Sequence, residues 1–272
     1  MTKNIIAVIP IRESSQRVKN KNFRPFNKKN LLIHKIEKLK KIKYIDEIIV
    51  NTDSEQAIKI AKDYKISFWK RDKYFASSSC TNSEFWGHIA DTTDSEHIMF
   101  TNCTSPLVKI ETYNTILKKY EKLQNINDSI NTVTNEKQFL YLDNKALNFD
   151  PKKTPNSQNL PNIVKLNFAI NVLPKKIMSE RKSVIGDNPD FFRLDEIEGF
   201  DCVLPESAEA IACVFDCTGN IIHEDCTDPL ISGCADYDDC GICSGGTSNH
   251  IANSDVDCFS VCFGDALYDS CE

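Results

Sequence analysis

A doubly wound α/β sheet is the fold class this sequence predicts, and three observations predict it. Short, nearly continuous apolar runs at Asn4 to Pro10, Asp46 to Thr52 and His97 to Thr101 have the composition of strands buried on both faces. Segments with apolar residues at helical spacing stand between and behind them. The composition, 41% hydrophobic and 26% charged, is that of a globular chain and argues against a fibre or wholesale disorder. At 272 residues there is room for one large domain with a small appendage.

Each element follows in turn. The run from Asn4 to Pro10 is a first strand. Leu32, Ile36, Leu39 and Ile42 recur at helical spacing in a Lys-rich stretch, and DEIIVNT at 46–52 is the second strand. A further helix starts after Asp53, where Ser54 can cap and Ile58, Ile60 and Ala61 follow. His97 to Thr101 is another buried strand, with Ile116, Leu117, Tyr120 and Leu123 as the stripe of the helix behind it. From Asp128 to Val172 the pattern turns β-rich. Phe139 to Asp143 and Ala146 to Asp150, around Asn144-Lys145, form a hairpin, and Val164 to Val172 is one more strand. The expectation is therefore a Rossmann-like, nucleotide-binding mixed sheet with a β-hairpin insertion, the insertion serving as a lid or a dimer contact or else simply extending the sheet. Ligands of such sheets bind at the carboxyl ends of the strands, so the loops after Pro10, Asn51 and Thr101 should share one crevice.

The charge is divided unevenly. The net value of −6 conceals a segment from Cys213 to Glu272 with ten Asp, two Glu and no Lys or Arg, hence −12, behind residues that carry +6. Nine of the twelve Cys and six of the nine Gly also fall in that segment. A joint shift in charge, Cys and Gly predicts two parts, 1–212 and a small irregular Cys-rich part, 213–272. No apolar run approaches the ~20 residues that span a bilayer, so no membrane is expected. The opening Met1-Thr2-Lys3-Asn4 has no cleavage site behind it, and a cytoplasmic chain is the expectation.

The loop after the first strand, Pro10 to Asn22, holds four cations, two hydroxyls and three amides. It contains neither GxGxxG nor GxxxxGK[ST], which removes the usual warrants for a dinucleotide fold or a P-loop NTPase. Arg and Lys donors beside Ser hydroxyls and free amides still suit a polyphosphate. The alternative is a solvated basic loop. Nucleic acid is not an expected partner, because the cations gather at one strand end and on one helix while the acidic end would repel a polyanion.

Seven segments in order, AVIPIRESSQRVKNKN, DEIIVNTDSE, KRDKYFASS, NCTSPL, SQNLP, LNFAIN and EGFDCVLPESAEAIA, resemble the acylneuraminate cytidylyltransferase family from about Asn4 to Ala212. The resemblance implies a reaction. The anomeric hydroxyl of a 2-keto sugar acid attacks the α-phosphate of CTP, pyrophosphate leaves, and Mg²⁺ neutralises the growing charge, in a homodimer whose hairpin region reaches the partner. By the same resemblance Arg12, Ser15, Gln16, Arg17 and Lys21 line the triphosphate, Asn22 reads the cytosine, and Arg71 is a nucleotide contact. Arg12, Gln16, Lys21 and Asn102 are then the catalytic set. Asn102, Thr104, Gln158 and Asn167 fall in the sugar-binding stretches, and Asp201 matches the first acid of the metal motif. The bland alternatives are that Asn102 caps a turn, Gln158 is surface, and Asp201 caps a helix. Ser14 stands where the family has Gly, Gln16 where it has Lys, and Val203 where it has the second metal acid. A hard cation wants several oxygens, so weakened Mg²⁺ affinity is expected. Val203→Asp should then lower the Mg²⁺ concentration needed for half-maximal turnover. A nucleotide-binding remnant without turnover, and an enzyme for another 2-keto acid such as an octulosonate, are the alternatives.

At the far end, G-x-A-x-Y-D-x-C occurs at Gly233 and again at Gly264, a 31-residue repeat that resembles DxCGxCxGG modules. An untethered acidic tail, zinc through Cys240, Cys243, Cys258 and Cys262, and disulfides are its readings in that order, with Ca²⁺ on the clustered Asp a further one.

Overall fold

The computed structural model describes residues 4–13, 21–23, 25–26, 29–123, 127–195, 198–199, 235–237 and 243–245. The chain divides into two units, Met1–Val203 and Leu204–Glu272. In the second, strands Ala235–Tyr237 and Cys243–Gly245 pair antiparallel. The zinc, calcium and disulfide readings of the Cys-rich part otherwise lie outside the described residues.

The first unit is built on one seven-stranded mixed sheet. Its strands are β1 (Ile5–Ile11), β2 (Glu47–Thr52), β3 (Ser67–Lys70), β4 (His97–Phe100), β5 (Ser129–Glu136), β6 (Ile163–Pro174) and β7 (Pro189–Arg193). Across the sheet the order is β7-β5-β6-β4-β1-β2-β3. Strand β1 is central because Ile5, Ala7, Val8, Ile9 and Ile11 have no exposure at all, and it pairs parallel with both β2 and β4. The order therefore reverses at β1, and the crevice between the carboxyl ends of β1 and β4 is a topological switch point. Strand β6 is antiparallel to both its neighbours, β4 and β5, which makes the sheet mixed as expected.

The helices are α1 (Leu31–Leu39), α2 (Glu55–Asp63), α3 (Lys73–Ala76), α4 (Asn82–Thr92), α5 (Ile110–Glu121) and α6 (Lys175–Arg181). Asn30 caps α1, its Oδ1 accepting from Ile33 N at 2.9 Å, and Leu32, Ile36 and Leu39 form its buried stripe. Ser54 does occupy the cap position of α2, but its hydroxyl makes no capping bond; its backbone N–H donates to Thr52 Oγ1 instead. Helix α4 opens with a reciprocal capping box between Thr81 and Glu84.

Several elements depart from the sequence reading. The hairpin is shorter, Tyr141–Leu142 against Lys145–Ala146, and its turn is one residue earlier, at Asp143 and Asn144 with φ 45° and 63°. Both residues tolerate the left-handed region, and two such angles in succession are what a type I′ turn requires. Strand β3 and helix α4 were not foreseen, nor was β5 picked out. β5 reads Ser-Ile-Asn-Thr-Val-Thr yet is buried throughout those six residues, and two of its polar side chains, Asn131 and Thr132, bond across the sheet, while the Thr134 hydroxyl has no hydrogen-bond partner among the described residues. Asn131 Nδ2 donates to Asn171 Oδ1 at 2.9 Å and Thr132 Oγ1 to Asn167 Oδ1 at 2.7 Å. Where the pairs are satisfied in this way, burying polar side chains costs little.

Candidate active site

Strand β1 delivers the first functional side chain. Beyond Ile11 the half-buried Arg12 enters a cleft of about 370 Å³ at the carboxyl edge of the sheet. The next residue, Glu13, donates its backbone N–H to Asp53 Oδ1 at 3.0 Å, which ties the loop after β1 to the loop after β2. Ser15, Gln16 and Arg17 lie outside the described residues. The chain is described again in a 3₁₀ turn, Lys21–Phe23, where Lys21 and the buried Asn22 line the same cleft.

Arg71 comes from the end of β3. Its Nε donates to Asn51 Oδ1 at 2.6 Å and its Nη2 to Asn51 O at 2.7 Å. The guanidinium lies over the Phe85 ring, 4.2 Å from the centroid. Fixed on two sides, it is pre-organised for a planar or oxyanionic partner. Burial lowers its pKa to about 10, with Asp53 opposing and the nearby positive charge of Arg12 adding to the fall. Among its described residues the cleft lining contains two Arg and one Lys but no Asp or Glu. Cations collected without carboxylates are a site prepared for an anion.

The end of β4 supplies Asn102, Cys103 and Thr104, all in the lining. This segment is braced from below by α1. The fully buried Lys35 donates to Tyr113 Oη at 2.7 Å, Thr101 Oγ1 at 3.2 Å and Ser105 O at 3.3 Å. One turn on, Lys38 donates to Val108 O at 2.6 Å and to Pro106 O. Burial lowers both lysines to about 8, Lys35 further depressing Lys38 while Glu198 and Glu111 oppose. The Cys103 thiol is pushed up to about 12 by burial. Such a thiol is no nucleophile at neutral pH.

Aromatic residues complete the cleft, and the sequence reading passed over them. Phe75, Phe85, Trp86, Phe100 and Phe168 are all in the lining. Trp86 meets Phe100 edge-on at 6.5 Å and stacks on Phe168 at 6.2 Å. Phe168 sits in an irregularity of β6 between Leu166 and Asn171, with φ 55°. A bulky residue at positive φ is strained, and here the strain turns its ring into the cleft. A motif search has no signal for such residues, since an aromatic at helical or strand spacing reads as core.

Six of the sequence-selected residues thus meet in one cleft: Arg12, Lys21, Asn22, Arg71, Asn102 and Thr104. The loops after β1 and β4 share it, as the strand-end argument required, whereas no residue of the loop after β2 is in the described lining; that strand touches the cleft only through Asn51, within β2, which holds Arg71. Gln158 is not brought to it; it is exposed on a 3₁₀ turn, Ser157–Asn159. Asn167 is buried beside it, its Oδ1 accepting from Thr132 Oγ1 at 2.7 Å and from Ala169 N at 3.2 Å. Its Oδ1 thereby braces the irregularity at Phe168, while its Nδ2 has no hydrogen-bond partner among the described residues. Asp201 and Val203 lie outside the described residues.

Comparison with known proteins is consistent with this geometry. A family model described as "Cytidylyltransferase" matches residues 6–165. The chain is 26% identical over 216 residues to a "Post-translational flagellin modification protein B" of Campylobacter coli, an alignment spanning 72% of this chain and 88% of that one. It is also 26% identical over 219 residues to the "CMP-N,N'-diacetyllegionaminic acid synthase" of Campylobacter jejuni subsp. jejuni, with the same coverage, 72% and 88%. Among solved structures, a CMP:2-keto-3-deoxy-manno-octonic acid synthetase complexed with CTP superposes with a TM-score of 0.53 at 11% identity, over 71% of this chain and 90% of that one. At that identity the likeness is one of fold.

Proposed function

We propose a reaction for this chain from one premise: it belongs to the cytidylyltransferase family. The reaction is transfer of CMP from CTP to a nonulosonic acid, of sialic, legionaminic or pseudaminic type, with release of pyrophosphate. The observation that carries it is the cleft at the β1/β4 switch point, in which Arg12, Lys21 and Arg71 gather with Asn22, Asn102 and Thr104 and no carboxylate appears among the described lining.

The division of labour follows from place. Arg12 and Lys21 grip the triphosphate at the end of β1, and Arg71, locked by Asn51 and Phe85, presents its remaining donors to the nucleotide. Asn22, buried and amide-bearing, is suited to the donor and acceptor edge of cytosine. Asn102 and Thr104, at the end of the adjacent strand, hold the sugar acid so that its anomeric oxygen faces the α-phosphorus. A bond forms from that oxygen to the α-phosphorus as the hydroxyl proton passes to solvent, the bond from phosphorus to the bridging oxygen breaks, and pyrophosphate departs with the electron pair. No covalent enzyme intermediate is needed. Alignment of the two reactants and fixed positive charge on the leaving pyrophosphate supply the rate.

Mg²⁺ belongs to the proposal through Asp201 and the nucleotide's own oxygens. Bound there it would neutralise charge on the polyphosphate. Among the described residues no cluster of three or more His, Cys, Asp or Glu could hold a metal ion.

A cytoplasmic setting and a homodimer complete the reading. Among the described residues no helix is long and apolar enough to cross a membrane. The dimer reading is supported by the hairpin, where Tyr141, Leu142 and Leu147 are each more than half exposed and Phe139 is also exposed. Incubation with CTP, Mg²⁺ and a panel of 2-keto sugar acids, with pyrophosphate as the readout, tests the function. Release with at least one nonulosonic acid is expected; CTP binding without release for any acid would reduce the chain to a nucleotide-binding remnant.

A further inference from the structure

We propose that Lys35 is a positioning residue for the acceptor: its ammonium, behind the wall formed by Asn102, Cys103 and Thr104, is the fixed positive charge that draws the carboxylate of the sugar acid to that wall. The proposal rests on the cytidylyltransferase reading and adds to it a residue that touches neither reactant.

Lys35 is buried on the inner face of α1 with Leu31, Leu32, Ile36 and Leu39. Its Nζ holds both ends of one short segment, donating to Thr101 Oγ1 at 3.2 Å and to Ser105 O at 3.3 Å, with Tyr113 Oη of α5 as the third acceptor at 2.7 Å. The three residues enclosed, Asn102, Cys103 and Thr104, all line the cleft. The Cys103 thiol feels the charge of Lys35 and also that of Lys21, which lines the same cleft. That segment is therefore the wall between a buried cation and the space assigned to the acceptor.

Three oxygens satisfy the three N–H donors, but none of them is charged. Burial keeps the protons on Tyr113 and on Cys103, and the other titratable groups that feel Lys35 are His34 and Lys38 of its own helix. Glu198 and Glu111 act on Lys38 and not on Lys35. Among the described residues Lys35 is thus a buried cation without a carboxylate. Burying a charge in that way is unfavourable, and a neutral donor could brace the segment without the penalty. What the ammonium adds is its field, which is screened far less inside the protein than at the surface. An acid whose carboxylate rests at Asn102 and Thr104 supplies the missing negative charge. Burial also lowers Lys35 to about 8, so above that pH the charge fades and the acid is held less well.

The test uses the acid of the panel that releases pyrophosphate fastest, with its uncharged C1 amide as a competitor. Lys35→Met is the informative variant, because methionine fills much of the lysine's volume without its charge. At saturating CTP and pH 7.5 its KM for the acid should rise roughly tenfold, the effect of one charge at short range through a partly polar medium. In the same variant kcat should stay within about threefold of the parent and Ki for the amide within about twofold. In the parent, KM for the acid should rise severalfold from pH 7.5 to 9 while Ki for the amide stays flat. Lys38 titrates in the same range but remains in Lys35→Met, where the rise should be lost. A brace without an electrostatic role would move acid and amide alike. Equal losses for the two in Lys35→Met, or no change for either, overturn the proposal while the cytidylyltransferase reading stands. Should Lys35→Met not fold, the parent's pH profile decides, and a KM for the acid that tracks the amide's Ki from pH 7.5 to 9 overturns the proposal as well. Failure to release pyrophosphate with any acid of the panel, CTP still binding, removes the parent reading and this one with it.

Discussion

Arg71 shows how much a single side chain can be fixed before any ligand arrives. Its two hydrogen bonds to Asn51 and its stacking on Phe85 leave the guanidinium one orientation. Lysine can keep the charge but neither the fork nor the stacking. Arg71→Lys is therefore expected to weaken CTP binding by roughly tenfold in a calorimetric titration, given that hydrogen bonds to charged groups contribute ~1.5–3 kcal/mol. Lys35 and Lys38 govern a different property. Both titrate near 8 in the folded chain, below the ordinary lysine value of 10.5. Above pH 8 the unfolded chain binds more protons than the folded one, so stability rises with pH. The opposite sign applies to Cys103, whose thiol keeps its proton to about 12 when folded and loses it from about 9 when unfolded. The rise should be steepest between about pH 8 and 9, where it amounts to about 1–2 kcal/mol in urea titrations, and continue at about half that slope just above pH 9, since two lysines outweigh one thiol; Lys35→Met should roughly halve the rise between pH 8 and 9. At this scale the sequence was informative where a residue type announces its chemistry. Arg12, Asn22 and Arg71 could be named because cations and amides at a strand end have few other uses. Trp86 and Phe168 could not, since nothing in a one-dimensional pattern tells an aromatic in a cleft from one in a core.

The elements were legible in proportion to their apolarity. Strands β1, β2 and β4 are buried on both faces and read as Ile- and Val-rich runs, so their bounds were found to within a residue or two. Strand β5 escaped because its burial is achieved by cross-strand amide and hydroxyl pairs, a tertiary property with no local signature. Helix α4 escaped for a related reason: its segment Asn-Ser-Glu-Phe-Trp-Gly-His carries Gly87 and crowded aromatics in place of a clean stripe. The hairpin was seen and its turn misplaced by one residue, since both Asp-Asn and Asn-Lys are plausible turn pairs and only the left-handed φ values choose between them. Its exposed Tyr141, Leu142 and Leu147 form an apolar surface on a small ribbon. Replacing Leu142 and Leu147 together by Glu should convert the proposed dimer to monomer in sedimentation velocity, with the melting temperature of the protomer little changed because neither side chain is buried in it.

For the molecule as a whole, the described cleft lies inside the first unit, Met1–Val203. A chain ended at residue 212 is therefore expected to bind CTP with the affinity of the full chain, measured by calorimetry at the same ionic strength. A tenfold or larger loss would show that the Cys-rich part contributes to the site. The sheet's connectivity has another consequence, for synthesis. Strand β6 lies between β4 and β5, and β5 pairs only with β6 and β7, so the late residues 163–174 are the seam that joins the early half of the sheet to the remainder. While the ribosome is still adding them, β4 presents an open edge and β5 has no neighbour to receive its amides. The nascent protein must carry that unfinished border until its twelve-residue keystone emerges. Slow translation upstream of residue 163 would lengthen the interval in which the growing polypeptide is open to aggregation or to chaperone capture.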